Sequence, residues 1–357
     1  MSILARNFFP PAKLALRFIS QRTSPAKLHE IVKIIDPQSS IKISSALKLV
    51  IRPYDLLECP DANKLRASIL TRCSRSTADL SVEVNGTSVD ITSDNIKGNI
   101  DSLQCLLEVP VKADLDIQAD QNADVSNVHS DLFHLLCKGN IFTKNIHSTT
   151  ISIQSEGGNI NSSGILLANK IGVNTTGTGN IILDKLQGDI FHCKTENGNI
   201  STNSCYVDSS NFATETGTLN LKNVHKKSEV YVLKEGDINM TGIHGNIYIK
   251  SNGGDMNLQF SEIYGDNIVM SNNSKQVSIN ISDLIEENCF IEIHSDQITL
   301  EDSVVHLAKY VENDNYLNMG KEHDARNKLL ICTKGHLRFG KMSWVDSVKM
   351  LMNNKKL

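Results

Sequence analysis

A short motif repeats through the middle of the chain. It consists of glycine, then usually asparagine or aspartate, then an aliphatic residue. It begins at Gly139, Gly158, Gly179, Gly198, Gly217, Gly236 and Gly254, with successive spacings of 19, 21, 19, 19, 19 and 18 residues. A nearly fixed period of this length is typical of a solenoid, in which each repeat forms one coil that stacks on the next.

Apolar and polar residues alternate on either side of each repeated glycine. Ile151 and Ile153 precede one glycine, and Ile181 and Leu183 follow the next. A period of two predicts β-strands, and half a repeat is too short for a helix of about 10–12 residues. The chain is therefore predicted to be all-β and to form a single parallel β-solenoid. Its rungs of about 19 residues would each contain two or three short strands joined by tight turns.

Stacked rungs bring equivalent positions together about 4.8 Å apart, so the core can be predicted as columns. The first column, two residues after each glycine, contains Ile141, Ile160, Ile181, Ile200, Leu219, Ile238 and Met256. The second, seven after, contains Ile146, Ile165, Leu186, Cys205, Val224 and Ile243. The third, five before, contains Ile153, Cys193, Phe212, Tyr231 and Ile249, with Val173 displaced by a longer turn. Neighbouring rungs bury these faces for each other.

The turns are predicted to contain two further columns. Glycine suits the turn because it reaches a positive φ without steric cost. The asparagines after it are expected to form a ladder of side-chain amides; they are Asn140, Asn159, Asn180 and Asn199. A column of hydroxyl groups is expected just before the turn, and it contains Ser155, Thr176, Thr195, Thr214 and Ser251.

The ends of a solenoid need caps, because an open rung exposes unpaired backbone groups. An N-terminal β region over 36–105 is predicted to contain strands at 41–52, 65–71, 80–84 and 89–92. The solenoid is predicted over 106–300. Residues 301–357 are predicted to hold a polar loop at 309–327, a strand pair at 329–339 and a short amphipathic helix at 343–352. That helix would cover the last rung with an apolar face that includes Trp344.

The first 35 residues differ in charge from the rest of the chain. They contain six Lys or Arg and one acid, Glu30, so their net charge is 6 − 1 = +5, whereas the whole chain has −4. Apolar residues are interleaved with these cations, and no run of 7–15 apolar residues forms a secretory signal core. This composition predicts a mitochondrial transit peptide or disordered leader over 1–35, and a matrix location for the protein.

The repeats and the segment before them resemble a known domain. The stretch that begins Leu107-Glu108-Val109-Pro110-Val111, continues to Ile117 and leads into the glycine repeats is similar to the "putative adhesin" domain of unknown function. The whole chain, with its basic leader and its Ser343-Trp344 ending, also resembles an animal family named for sequence similarity one hundred and eighty-five. Both resemblances imply a β-solenoid fold, and neither implies an established activity.

Composition and motifs exclude several classes of function. A net charge of −4 does not suit a strongly basic nucleic-acid binder, and no apolar run approaches the roughly 20 residues of a membrane helix. The eight cysteines form no CxxC pair, so we expect reduced thiols, with Cys193 and Cys205 buried. The histidines form no HExxH motif. No cofactor and no metal site is predicted.

One column carries candidate chemistry. Glu196 and Glu215 stand two residues before successive glycines, next to Lys234 on the following rung. Paired carboxylates at this spacing are weak candidates for catalysis on a glycan. The leading hypothesis is instead a non-enzymatic binding or scaffold protein with an unknown protein partner and oligomeric state. The alternatives are a carbohydrate-active enzyme that uses Glu196 and Glu215, and an extracellular adhesin-like protein.

Overall fold

The computed structural model describes residues 25–58, 60–312, 315–320 and 326–342. The predicted C-terminal helix at 343–352, with Trp344, and the first 24 residues of the predicted leader lie outside this range. The N-terminal strands are β1 Ala26–Ile34, β2 Ser40–Ser45, β3 Lys48–Pro53, β4 Lys64–Thr71, β5 Thr77–Asn85, β6 Ser88–Lys97, β7 Leu103–Val109 and β8 Asp114–Ala119.

The central rungs are β9 Ala123–Cys137, β10 Ile141–Ser155, β11 Ile160–Thr175, β12 Ile181–Thr195, β13 Ile200–Thr216, β14 Leu219–Glu235 and β15 Ile238–Ser251. They are followed by β16 Met256–Ile263, β17 Asp266–Ser271, β18 Gln276–Ile281, the helix α1 Asp283–Asn288 and β19 Cys289–Leu300. The last strands are β20 Ala308–Glu312, β21 Tyr316–Met319 and β22 Asn327–Lys341. Strands β9 to β15 pair in parallel, each with the next along the chain, which is the predicted β-solenoid.

Each central rung is one long strand, not the predicted set of short strands joined by turns. The backbone bends at left-handed residues such as Asn145 (φ 51°) and Gly164 (φ 72°), while the parallel ladder resumes on the far side of each bend. Along β12 the buried residues divide the rung into three sides, at 181–183, 186–188 and 191–195. We call these the first, second and third sides and use the same names for every rung.

The first apolar column is confirmed residue by residue. Its seven members pair in register from β10 to β16, and each is at most 2% exposed. The other columns shift by one residue where a bend gains or loses a residue. Leu166 takes the place predicted for Ile165, and Thr175 takes the place predicted for Thr176, because β11 has an additional residue at its bend. Val230 replaces Tyr231 in the core because β14 is one residue shorter there.

The repeated glycine has the predicted positive φ at Gly217 (142°) and Gly254 (90°), but elsewhere in the column it is required for a different reason. Gly158, Gly179, Gly198 and Gly236 do not have a positive φ. Instead, the turns approach so closely that a Cβ on Gly198 would lie 1.8 Å from the carbonyl oxygen of Gly179. The same contact recurs along the column, at 2.2 Å for Gly158 and 2.0 Å for Gly236. Only a residue without a side chain fits this spacing.

The asparagine ladder exists, but most of its hydrogen bonds differ from those predicted. The backbone N–H of Asn159 donates to Oδ1 of Asn140 at 2.9 Å, and the N–H of Asn180 donates to Oδ1 of Asn159 at 2.8 Å. Asn199 and Thr218 continue the series at 2.8 and 2.7 Å. Each side chain therefore satisfies a backbone donor of the next turn, which would otherwise lack a partner.

At the N-terminal end the rungs do not follow chain order. The rung made by β2 and β3 lies between β6 and β7 on one side and β8 and β9 on the other. Antiparallel strands then cover the outer edge, with β4 on β7, β1 on β4, and β5 on β6. Strand β1 lies within the segment predicted as a leader to residue 35, so strand structure begins before that boundary.

At the other end, β22 lies between the rung of β17 and β18 and the terminal strand β19. It is one continuous strand, where a strand pair at 329–339 is predicted. The segment predicted as a polar loop, 309–327, contributes most of an antiparallel hairpin of β20 and β21 that covers the edge of β19. Short strands suit an edge because they leave few backbone groups free for further pairing. Within the described ranges, no helix is both long and apolar enough to cross a bilayer.

Candidate binding cleft and ring column

Outward side chains on the second side of successive rungs line up into a column of five rings, one amide and one leucine. We call this the ring column, and it contains His129, His147, Leu167, Gln187, Tyr206, His225 and His244. Each member directly follows a buried residue, such as Ile146 before His147. Alternation in the strand sends these side chains outward, and the parallel register stacks them.

The rings in this column stack face to face. The centroids of His129 and His147 are 4.3 Å apart, those of Tyr206 and His225 are 4.4 Å apart, and those of His225 and His244 are 4.7 Å apart. The last pair is nearly parallel, at 3°. Because the faces cover each other, the column presents ring edges to solvent. It therefore offers ring nitrogens and a hydroxyl group rather than flat apolar faces.

Burial and like neighbours keep these histidines in their neutral form. Partial burial lowers the pKa of His147, and the neighbouring His129 lowers it further. Burial likewise lowers the pKa of His225, with a further contribution from His244. The pKa of His244 is also lowered by burial, which outweighs the opposite effect of Glu262. At neutral pH each of the three therefore has one ring nitrogen with a free lone pair and one that carries a proton.

A polar cleft of about 990 Å³ runs beside the ring column, across rungs β9 to β14. It is bordered at one end by the segment before β8, where the N–H of His129 donates to the carbonyl of Val111 at 2.9 Å. Asp114 closes that end because its Oδ1 accepts from the N–H groups of Asp131 and Leu132, at 2.9 and 2.8 Å. At the other end Lys226 forms an ion pair with Asp208.

The groups that line the cleft are suited to hydrogen bonding. The described lining includes the hydroxyl groups of Ser130, Ser148 and Thr149 and the amides of Asn169 and Gln187. It also includes four aspartates and two lysines, so its formal charge is 2 − 4 = −2. Carboxylates only accept hydrogen bonds, whereas amides and hydroxyls both donate and accept. A ligand that offers many hydroxyl donors would match this surface.

The structure does not direct Glu196 and Glu215 toward a common point. Glu196 Oε2 accepts from the N–H of Gly177 on the preceding rung at 2.8 Å. Glu215 Oε2 pairs with Lys234 on the following rung at 2.6 Å. That lysine lowers the pKa of Glu215, which is opposite to what a general acid requires. Their predicted role in catalysis remains a prediction.

A second cleft, of about 850 Å³, lies beside α1. Glu286, one of three glutamates in its lining, already has partners, because it forms an ion pair with Lys341 and a hydrogen bond with His306. The hydrogen bond from Lys341 is the main reason that the pKa of Glu286 is lowered. The arrangement ties α1 to the end of β22 and thereby stabilises this end of the solenoid.

The described cysteine thiols lie mostly in the buried interior of the fold. The described cysteines are free thiols, and Cys193 and Cys205 are buried as predicted. Burial raises the pKa of Cys205 to about 12 and that of Cys193 well above its ordinary value, so both stay protonated. Among the described residues, no three or more His, Cys, Asp or Glu side chains converge as a metal cluster would require.

The ring column was missed from the sequence although its signal is present. Histidine or tyrosine directly follows the second apolar column at His147, Tyr206, His225 and His244. The cleft could not have been predicted in the same way. It depends on the segment before β8, which reaches β9 only because β8 pairs with β2 and with the far side of β9.

The fold and the cleft define a β-solenoid protein with a polar cleft along one side. The chain belongs to the Toastrack DUF4097 family, whose model matches residues 68–334. No curated protein matches it. A putative cell adhesion protein from Clostridium sporogenes is 10% identical, with 89% of this chain and 100% of that chain covered and a TM-score of 0.18. A putative adhesin from Bacteroides fragilis is 11% identical, with 87% and 96% covered and a TM-score of 0.31.

Proposed function

We propose that this protein is a non-enzymatic, adhesin-like binding protein that holds a carbohydrate chain in the cleft beside the ring column. The observation that carries the proposal is the polar lining of that cleft, in which carboxylates, amides and hydroxyls extend over six consecutive rungs. The resemblance to the putative adhesin domain supports a binding role. A rigid parallel stack also suits recognition, because little ordering is needed when the ligand binds.

The composition of the cleft favours a carbohydrate over a peptide. Peptide recognition usually relies on apolar or aromatic anchors in buried pockets. The described lining has few apolar side chains, and Tyr206 is already stacked on His225. Asp131 and Asp189 form no ion pair with another described residue, so their carboxylates remain available to sugar hydroxyls. Each such charged hydrogen bond contributes about 1.5–3 kcal/mol.

A glycan array probed with the full chain tests this proposal. We expect binding to a subset of glycans, and we expect the double variant Asp131→Asn, Asp189→Asn to bind at least about tenfold more weakly, since 1.4 kcal/mol corresponds to a factor of ten. The matched control is Glu196→Gln, Glu215→Gln, which changes two carboxylates outside the cleft and should leave binding unchanged.

Three outcomes would contradict the proposal. Binding that both double variants retain would place the ligand elsewhere. Selective capture of peptides with no glycan binding would replace the ligand class. Release of new reducing ends from a bound glycan, abolished by the change at Glu196 and Glu215, would instead support the carbohydrate-active enzyme.

We also propose that residues 1–25 direct import into mitochondria. The support is the basic composition of this segment, since a membrane potential acts on each positive charge with about 2.3 kcal/mol per 100 mV. Residues 1–25 fused to a fluorescent reporter should therefore enter mitochondria, and this fusion leaves β1 out. A control with Arg6, Lys13, Arg17 and Arg22 changed to glutamine should remain in the cytosol. Secretion of the unaltered fusion would favour the extracellular location.

A further inference from the structure

The cleft beside α1 has a buried apolar base and an exposed apolar rim. Its described lining includes Ile263, Ile285 and Met319, each at most 2% exposed. Leu284 on α1 and Tyr264 just after β16 line the same cleft but are 54% and 53% exposed. Large apolar side chains that border one cleft together mark a surface suited to contact with another element.

This cleft lies on the second side of the stack, where a helix replaces a strand. Strand β18 pairs with the first side of β16, and β19 begins beside the part of β22 that pairs with β17 on the third side. Helix α1 connects β18 to β19 and therefore occupies the second side of this rung. Because a helix does not extend the parallel ladder, the ladder of the second side ends at β16 and leaves the cleft.

The charge of the cleft favours a cationic occupant. Its described lining contains three glutamates and one arginine, so its formal charge with neutral histidine is 1 − 3 = −2. Glu286 is paired with Lys341, and Glu262 accepts a hydrogen bond from the hydroxyl group of Tyr264. Glu287 is exposed. An occupant with an apolar face and a positive charge would match this surface.

The chain leaves β22 beside this cleft. The N–H of Met342 donates to the carbonyl of Ile281 at 3.0 Å, two residues before α1 begins. The preceding residue, Lys341, forms ion pairs with Asp283 and Glu286 on α1. Because consecutive Cα atoms are about 3.8 Å apart, the segment that follows starts next to the first turn of α1 and needs no linker to reach the cleft.

The sequence of that segment matches the cleft in pattern and charge. Trp344, Val348, Leu351 and Met352 fall on one face of a helix over 343–352. A helix of this length spans about 15 Å. The side chains of residues 343–357 include three lysines and one aspartate, so their net charge is 3 − 1 = +2, opposite to that of the cleft.

We propose that residues 343–352 form this amphipathic helix and that its apolar face, with Trp344, covers the cleft beside α1 of the same chain. The sequence predicts a helix over the last rung, whereas the cleft and the point where the chain leaves β22 favour the second side of the stack. Direct connection to β22 gives the segment an effective concentration of about millimolar at the cleft, so weak contacts suffice. This docking does not depend on the proposed carbohydrate site.

Fluorescence of the full chain tests the proposal, because Trp344 is the one tryptophan in the sequence. We expect emission at a shorter wavelength, and weaker quenching by acrylamide, than for the free peptide of residues 343–357. Leu284→Gln should move both toward the values of the peptide, since a leucine side chain then loses part of its burial. The ratio of docked to undocked segment should fall about fivefold or more. Leu351→Gln, on the apolar face of the segment, should have the same effect.

Each of these variants has a matched control. Leu233→Gln changes a leucine on β14 that is 44% exposed and lies outside the cleft. Met350→Gln changes the neighbour of Leu351, which falls on the opposite face of the predicted helix. Neither control should move the emission. Far-UV circular dichroism shows whether each variant remains folded.

The proposal is wrong if the full chain and the free peptide have the same emission and quenching. It is also wrong if Ile298→Gln, on the terminal strand β19, shifts the emission while Leu284→Gln does not, because the helix would then cover the end of the stack. Emission that moves toward that of the peptide on dilution would place the segment on a second copy and overturn docking within one chain.

Discussion

Replacing Gly198 by alanine is expected to destabilise the solenoid by about 3 kcal/mol or more, which is the upper range for forcing additional atoms into a packed site. A Cβ at this position would lie 1.8 Å from the carbonyl oxygen of Gly179. That oxygen belongs to the backbone and cannot move aside as a flexible side chain would. The rungs would have to separate at the turn.

Separation at that turn would also weaken the hydrogen bonds that hold it. The N–H of Asn199 donates to Oδ1 of Asn180, and the N–H of Ile181 donates to the carbonyl of Asn199, both at 2.8 Å. These bonds cross the same gap between rungs. The effect of the substitution should therefore exceed that of a simple clash confined to one atom pair.

Gly172→Ala is the matched control. Gly172 is also in the central stack, on β11, but a Cβ there would meet only the carbonyl oxygen of Ile151, at 4.0 Å. Its φ lies outside the left-handed region, so alanine should be neutral or slightly stabilising. Urea unfolding followed by circular dichroism measures both variants. Equal midpoints for the two variants would show that close approach of the turns is not what requires glycine.

Replacing Glu108 by glutamine is expected to destabilise the N-terminal end by about 3 kcal/mol, the low end of the range for breaking a buried ion pair. Glu108, on β7, is only 8% exposed. Its Oε1 accepts from Nη2 of Arg52 on β3 at 2.8 Å, and its Oε2 accepts from Nη1 of Arg66 on β4 at 2.7 Å. One carboxylate thus joins a solenoid rung to the antiparallel cap.

Glutamine keeps the shape of this side chain but removes the charge. The two guanidinium groups would then face each other without an anion between them, and Arg66 would keep only its contacts with Tyr54 and the weaker ion pairs with Glu30 and Glu58. Because Arg52 remains about half exposed, solvent offsets part of the cost. This is why the expected loss lies at the lower end of the range.

The control for this prediction is Glu301→Gln. Glu301 pairs with Arg338 at 2.7 Å, but both side chains are more exposed than Glu108, so the expected cost is about 0–1 kcal/mol. Hydrogen exchange should show lost protection in β4 for Glu108→Gln and no change there for Glu301→Gln. If both variants unfold at the same urea concentration with β4 still protected, the carboxylate does not hold the cap.

The regular part of the fold could be predicted because every repeat has the same local pattern of glycine and alternating apolar residues. Alternation places Ile160, Ile181 and Ile200 inside, and the glycine spacing sets the period, so the register of the first column follows from counting. Counting failed at Ile165 and Tyr231, where a bend gains or loses one residue. A bulge of this kind changes the side on which later residues lie, and the sequence gives little sign of where it will form.

The candidate binding surface was harder to predict from the sequence. Glu196 and Glu215 were predicted as candidate catalytic residues because they are acidic and evenly spaced. In the structure each has its own partner on a different rung. His225 and His244 are equally well spaced, but the stacking of their rings could not be predicted from that spacing alone. Such contacts arise only when side chains are placed in three dimensions.

The amino-acid sequence by itself determined the all-β class, the solenoid period, the buried aliphatic columns and the basic character of the N-terminal segment. All of these depend on residues that are close in the chain or that repeat at a constant interval. The tertiary structure alone decided that the rung of β2 and β3 lies between β6 and β7 on one side and β8 and β9 on the other. It also decided that β22 lies between the rung of β17 and β18 and the terminal strand β19, and that the segment before β8 borders the cleft. Such pairings join strands far apart in the chain, so no local or repeated pattern in the sequence specifies which edge each strand covers.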